Sequence, residues 1–249
     1  MQNFFKRAVL VAVLGLASAA NATVITFDAL DDSPGAPWLP FMTHEDFITE
    51  SGFWVGSYST KAGAIAGEDF VGALVDGKDI ASSCFGVVCA NNNQTQFLVA
   101  LNDGFLDIGR TNSSTFTLGK FDASFIAASG DAVLSPAMLL RVDGYLGSVK
   151  VVSEDFYLSG PVSGGYSFST FSLNDIFANT AITELGIYGY ACTTTTSCTR
   201  NLDKAQFAID NISTITAVPE PASWLMTGLG LAMVGAIARR RRVAPDSAA

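Results

Sequence analysis

Phe121-Asp122-Ala123-Ser124-Phe125-Ile126-Ala127 is the stretch that decides the fold. Phe121, Ala123, Phe125 and Ala127 recur at every second position, with Asp122 and Ser124 between them. This is the period of a β-strand with one face in a core, not the 3.6-residue period of a helix. Working outward, the pattern returns at Val149 and Val151 around Lys150, at Leu185 and Ile187 around Gly186, and at Phe207 and Ile209 around Ala208. Short β-type runs also cover residues 24–28, 53–58, 95–101, 115–118, 138–143 and 166–171. Asp143-Gly144 and Asn102-Asp103-Gly104 have the composition of hairpin turns. Only Leu173–Ala178 reads as a helical turn. Many short strands at roughly even spacing predict an all-β protein, a β-sandwich of jelly-roll type.

The charge of the chain is unevenly placed. Its formal net charge is -9, yet six basic residues lie at the ends: Lys6, Arg7, Arg239, Arg240, Arg241 and Arg242. Residues 23–217 hold 8 Lys and Arg against 21 Asp and Glu, a balance of 8 − 21 = -13. Such a segment repels nucleic acid and anionic lipid, which argues against nucleic-acid partners. Neutral glycans and divalent cations fit it better.

Four cysteines, Cys84, Cys89, Cys192 and Cys198, allow three pairings. The short spacings favour two local bridges, Cys84–Cys89 and Cys192–Cys198, which would stiffen loop tips more than hold the fold. A zinc site is the rival reading, disfavoured by the presence of a single histidine, His44. That histidine lies in Thr43-His44-Glu45-Asp46 with no Gly-x-Ser-x-Gly elbow anywhere in the chain. It reads as a hydrogen-bonded surface residue. Gly-rich phosphate loops are absent, and no catalytic residue is assigned. A carboxylate pair of the glycosidase kind could be drawn from 21 acidic residues but not located among them.

Calcium is the better chemical expectation. Asp28 ends the first strand and Asp210 lies in the last. In a jelly roll these strands often run side by side, so both carboxylates could share one Ca2+ with main-chain oxygens and water. Asp31, Asp32 and Asn211 are nearby reserves. For sugar stacking, Trp38, Trp54 and Tyr58 are candidates. Tyr188 and Tyr190 are stronger ones, because they share one strand face opposite Leu185 and Ile187.

The ends carry targeting information. Lys6-Arg7, the apolar run Ala8–Leu16 and Ala20-Asn21-Ala22 follow in the order of a signal peptide, residues 1–22, with the mature chain starting at Thr23 after signal peptidase. The run is too short for a permanent span. Near the other end, Trp224–Ala238 is a 15-residue apolar stretch followed at once by Arg239-Arg240-Arg241-Arg242. It predicts a short transmembrane helix whose arginines keep residues 243–249 cytoplasmic. Pro219-Glu220-Pro221 stands just before it, held extended by its prolines.

Pro-Glu-Pro, a short apolar helix and the cluster Arg239, Arg240, Arg241 and Arg242, in that order, resemble the PEP-CTERM sorting signal, here at residues 218–242. The resemblance implies recognition by an exosortase in a Gram-negative bacterium that makes extracellular polysaccharide. It also implies a transient stay in the inner membrane, removal of the tail, and delivery to the cell surface or extracellular matrix. Residues 23–217 are then the extracytoplasmic domain. The order of β-runs from Phe116 onward is similar to PEP-CTERM ectodomains that look like carbohydrate-binding jelly rolls. Gln206-Phe207-Ala208-Ile209-Asp210 looks like the QFxxD motif of one subgroup. Together these features lead us to expect a noncatalytic surface or matrix protein, structural or adhesive. A calcium-assisted glycan-binding module and a secreted carbohydrate-active hydrolase are the alternatives.

Overall fold

The computed structural model describes residues 21–31, 41–84, 86–128, 137–161, 165–194, 197–200 and 204–216, with two single positions in the tail, 230 and 233. Ala22–Thr216 forms one compact unit. Its first half holds β1 (Asn21–Ile25), β2 (Phe41–Thr43), β3 (Asp46–Glu50), β4 (Phe53–Ser59), β5 (Phe70–Asp76), the short helix α1 (Ile80–Ser83), β6 (Val87–Val88), β7 (Gln96–Ala100) and β8 (Gly104–Arg110). Then come β9 (Thr117–Phe125), β10 (Ala127–Ala128), β11 (Met138–Leu146), β12 (Val149–Leu158), β13 (Ser169–Ser172), α2 (Asp175–Ala178), β14 (Glu184–Cys192), β15 (Cys198–Thr199) and β16 (Phe207–Thr216).

Two antiparallel sheets make the predicted β-sandwich. The first runs β13-β9-β16-β7-β5-β2, with β1 also on β16; the second runs β12-β11-β14-β8-β4-β3, with β15 on β14. β6 and β10 form a separate small ladder. The alternation read from the sequence sets which side of each strand is dry. Phe121, Ala123 and Phe125 of β9 and Phe207 and Ile209 of β16 share one core with Leu106, Ile108, Leu140, Val142, Leu185 and Ile187 of the second sheet. Phe53 and Phe116 meet edge to face at 5.2 Å in this layer. Burying each such large side chain contributes about 1.5–3 kcal/mol, which makes this layer the main stabiliser of the unit.

The two outer faces differ, and the difference positions the site. Over the first sheet, Cys84, Cys89, Phe97, Val99, Ile126 and Ala208 form a second apolar cluster, with Ile80 of α1 packed against it. The outer face of the second sheet has no such cover among the described residues. Both local disulfides are present, Cys84–Cys89 and Cys192–Cys198. The first does more than stiffen a loop tip, because both its cysteines are buried in that second cluster.

Two turn readings change. Asp143-Gly144 lies inside β11, where Asp143 pairs with Ser153 and Gly186. The glycine is there for packing: a Cβ on Gly144 would stand 2.7 Å from the Ile182 and Val152 side chains. The β11–β12 turn comes later, at Gly147, with φ +60°. Asn102-Asp103 is a turn, with Asn102 at φ +54°, but it joins β7 of one sheet to β8 of the other and is not a hairpin. Helix α2 falls within Leu173–Ala178 as expected, its first turn capped by Asn174, whose side chain accepts from the Phe177 N–H.

Among the described residues no helix is long and apolar enough to cross a membrane. Several sequence expectations fall on residues outside that set. They are signal-peptide residues 1–20, the motif Pro219-Glu220-Pro221, the Trp224–Ala238 run save positions 230 and 233, and all four arginines of the cluster, Arg239, Arg240, Arg241 and Arg242.

Candidate functional site

The four middle strands of the second sheet, β4, β8, β14 and β11, send alternate residues to its uncovered face. Register places Gly56 opposite Asp107, Asp107 opposite Gly186, and Gly186 opposite Asp143. One step along, Trp54 faces Gly109, and Gly109 faces Glu184. One step the other way, Tyr58 faces Phe105 and Tyr188 faces Arg141. The glycines make room for rings that lean along the sheet. A Cβ on Gly56 would lie 2.6 Å from the Tyr58 ring, one on Gly186 2.6 Å from the Tyr188 hydroxyl, and one on Gly109 2.6 Å from the Trp54 ring. Neighbouring rings stack across three strands, Tyr58 on Phe105 at 5.6 Å and Phe105 on Tyr188 at 4.9 Å. These spacings follow the strand separation of about 4.8 Å, so the ladder of rings is a consequence of the register.

Asp107 sits beside this ladder, and its Oδ1 is buried without a hydrogen-bond partner. Burial pushes its carboxyl up to about 7, and Glu184 on the next strand pushes the same way. Burial also raises Glu184. Tyr188 is raised by burial and by its hydrogen bond with Tyr145. Asp143 is buried too but is well served: the Ser153 hydroxyl donates to it, and the Lys150 ammonium does so at 3.3 Å. Arg141 makes a two-pronged pair with Asp155, both contacts at 2.7 Å.

The predicted stacking residues Tyr188 and Tyr190 do share the face, half-exposed, while Leu185 and Ile187 are buried. Their rings already have company. The Arg200 guanidinium lies over both, 5.2 Å from the Tyr188 centroid and 5.5 Å from that of Tyr190. Arg141 lies 5.3 Å from the Tyr190 centroid. A sugar that stacks on Tyr188 therefore meets Arg200 first. Beside the ladder, Arg200, Tyr188, Phe105, Asn102, Asp103 and Thr60 line a shallow surface depression.

Asp210 lies in a second place with Asp28 near enough for its charge to be felt; Asp28 stands in a bend three residues past the end of β1 at Ile25 and so does not end the first strand. β16 pairs with β7 up to Ile209 and also with β1, and Asp210 is followed by Asn211 at φ +51°. Asp210 is wholly buried. Its carboxylate accepts from Asn93 Nδ2 at 2.7 Å, Thr95 Oγ1 at 3.3 Å and the Asn211 N–H at 2.7 Å. Burial lifts it to about 6 against these donors, and the nearby Asp28 charge adds to the lift. Asp28 is exposed and accepts from the Gln96 N–H at 2.9 Å. Among the described residues no three His, Cys, Asp or Glu side chains gather as a metal cage. The oxygens at Asp210 are already served by protein donors, so an ion there would rest on Asp28, displaced amide groups and main chain. Asp31 is exposed; Asp32 and Trp38 lie outside the described residues.

His44 is placed by the backbone: its Nδ1 accepts the Ser59 N–H at 3.0 Å, and its ring meets Tyr58 edge-on at 5.9 Å. Phe105, Asp107, Asp143, Glu184 and Arg200 were not singled out from the sequence. The signal that points to the site is Gly-x-Tyr on a strand, at 56–58 and again at 186–188, since a ring leaning back two residues needs a glycine beneath it.

Residues 217–242 match the PEP-CTERM protein-sorting motif, a span that takes in Pro219-Glu220-Pro221 and Arg239, Arg240, Arg241 and Arg242. The chain is thus an exported protein that exosortase sorts, held transiently at the membrane. No curated protein matches the chain. Among solved structures, the lectin-binding domain of lectinolysin in complex with Lewis b is similar at 8% identity and TM-score 0.32, over 76% of this chain and 100% of that one. A family 11 carbohydrate-binding module from Clostridium thermocellum is similar at 12% identity and TM-score 0.29, over 81% and 99%. The enzymatically active domain of bacteriophage CBA120 tailspike protein 4 is similar at 10% identity and TM-score 0.30, over 67% of this chain but only 20% of its own.

Proposed function

We propose that the exported unit is a noncatalytic surface or matrix module that holds extracellular polysaccharide across the outer face of its second sheet. The observation that carries this reading is the Tyr58–Phe105–Tyr188 ladder, half-exposed on a face without apolar cover among the described residues and bordered by the Arg200 cleft. Aromatic rings give apolar contact to the C–H faces of sugars. Asn102, Thr60, Glu184 and the guanidinium of Arg200 offer hydrogen bonds to hydroxyls. Asp107, close to half-protonated near pH 7, can donate as well as accept. The balance of -13 over residues 23–217 favours uncharged chains over polyanions. Exosortase delivery brings the module to the compartment where such polymers lie.

Affinity electrophoresis through gels containing neutral or acidic polysaccharides tests this. Retardation by a neutral polymer is expected, and Tyr188→Ala and Arg200→Ala should each weaken it about tenfold, the worth of roughly 1.4 kcal/mol. Equal mobility in every gel removes the reading. Release of reducing ends from the polymer would instead favour the hydrolase alternative, with Asp107 and Glu184 the carboxylates to replace first.

Calcium enters the same proposal at Asp28 and Asp210. An ion bound there displaces the Asn93 amide from Asp210, so calorimetric titration with CaCl2 should show heat that Asp210→Asn abolishes. A flat titration of the unsubstituted protein removes the metal from the proposal.

A further inference from the structure

Two arginines lie over the tyrosines of β14, and they are held in different ways. Arg141 is fixed by its two-pronged pair with Asp155. Arg200 is exposed, and among the described residues its contacts are the ring faces of Tyr188 at 5.2 Å and Tyr190 at 5.5 Å. Its place therefore depends on the backbone that carries it. That backbone is slight: β15 has 2 residues and meets β14 at two pairs, Ala191 with Thr199 and Cys192 with Cys198. A ladder so short is marginal by itself. The Cys192–Cys198 bridge joins the second of these pairs, two residues before Arg200.

This bridge has little to do elsewhere. It spans a sequence separation of 6, and so short a loop constrains the unfolded chain weakly. Unlike Cys84 and Cys89, neither of its cysteines belongs to an apolar cluster. We infer that the Cys192–Cys198 bridge is a positioning device: it pins β15 to β14 so that the Arg200 guanidinium lies over the Tyr188 and Tyr190 rings, and through Arg200 it sets the sugar affinity of the face. The affinity clause rests on the polysaccharide reading; the placing of Arg200 does not. A guanidinium stacked on rings keeps its N–H edge free for hydroxyl oxygens. One already held in place need not be ordered when a sugar arrives, which strengthens binding without any new contact.

Arginine side-chain NMR of the exported protein reads this placement with no sugar present. A group over two ring faces is shifted upfield by their ring currents, and Arg200→Ala identifies the signal by its loss. Replacing both cysteines, Cys192→Ala with Cys198→Ala, should move that signal to the position of a solvated arginine. The Arg141 signal, held by Asp155, should stay where it was and so report an intact sheet. A second variant keeps the bridge: one glycine inserted between Thr199 and Arg200 gives the guanidinium slack and should move the signal in the same way. In gels of a neutral polysaccharide that retards the parent, the bridge-free protein should bind about tenfold more weakly, as Arg200→Ala does. Combining the two changes should weaken it no further, because both act through one group. An Arg200 signal that stays upfield without the bridge, or losses of binding that add, overturns the inference. A parent that no gel retards removes the polysaccharide reading and the affinity clause with it, while the spectra still decide whether the bridge places Arg200.

Discussion

The Ala22–Thr216 unit, exported so that both disulfides form, should lose stability as pH rises from 5 to 8, and Asp107→Asn should remove most of that loss. The cause is a carboxyl held where its charged form is poorly solvated. Asp107 lies beside the rings of Tyr58, Phe105 and Tyr188 with one oxygen unpartnered, and its folded value stands at about 7 against an ordinary 3.8. A folded value above the unfolded one means that the folded state holds the proton more tightly. The associated stability is complete below about pH 4 and is lost as pH climbs through 7. With allowance for the partial exposure of Asp107, the loss is about 2 kcal/mol, or roughly 4–8 °C in the thermal midpoint of a unit this size.

Asp210, lifted to about 6, and Glu184, also lifted, act with the same sign, so a residual slope remains in the Asp107→Asn protein. Asp69, lowered by its hydrogen bond from Lys61, acts oppositely but only in acid, below the ordinary carboxylate range. Circular dichroism melts at pH 5, 6, 7 and 8 on both proteins decide the matter. A midpoint that is flat or rising with pH in the parent, or an unchanged slope in Asp107→Asn, contradicts this account of the face.

The sandwich was legible because its signal is local. Phe121, Ala123 and Phe125 show the two-residue period within one strand, and the core layer follows from it. Strands β2, β3, β5 and β8 were harder to read. β5, Phe-Val-Gly-Ala-Leu-Val-Asp, is dry on both sides and does not alternate, because α1 and the Cys84–Cys89 loop cover its second face. That cover is a tertiary fact with no trace in the period. The candidate face was legible in part for the same reason. Tyr188 and Tyr190 declare themselves within β14, but Asp107 and Glu184 become neighbours only through the β8–β14 register. Asp28 and Asp210 are the reverse case: the placing of the first strand beside the last is a regularity of the fold class, and β1 on β16 realises it. The donors from Asn93 and Thr95 that serve Asp210 come from a loop that no pattern singles out.

Deleting Pro219–Pro221 should convert a released protein into one that stays whole in the inner membrane. The matched motif at residues 217–242 divides into three physical parts. Arg239, Arg240, Arg241 and Arg242 should fix the orientation, since moving four guanidinium groups through hydrocarbon costs at least about 2.5 kcal/mol each. The apolar run Trp224–Ala238 has 15 residues where a typical bilayer asks for about 20, so it should make a weak anchor. Proline disfavours a continuing helix and biases the residue before it to extended backbone, so Pro219 and Pro221 should favour the open form a peptidase requires of its substrate. Without them the apolar run and arginines should still insert, but the bias toward an open segment before the run is lost. Surface delivery should then fall to background while the inner-membrane fraction gains the full-length chain. Stopping the chain after Ser223 should instead give a folded periplasmic unit, because Ala22–Thr216 is compact by itself. Mass spectrometry of the surface-delivered parent, in a host with its exosortase, supplies the control. A mass that lacks Arg239–Ala249 agrees with sorting by cleavage, whereas a mass that retains them makes the tail a plain anchor and leaves only the export step standing.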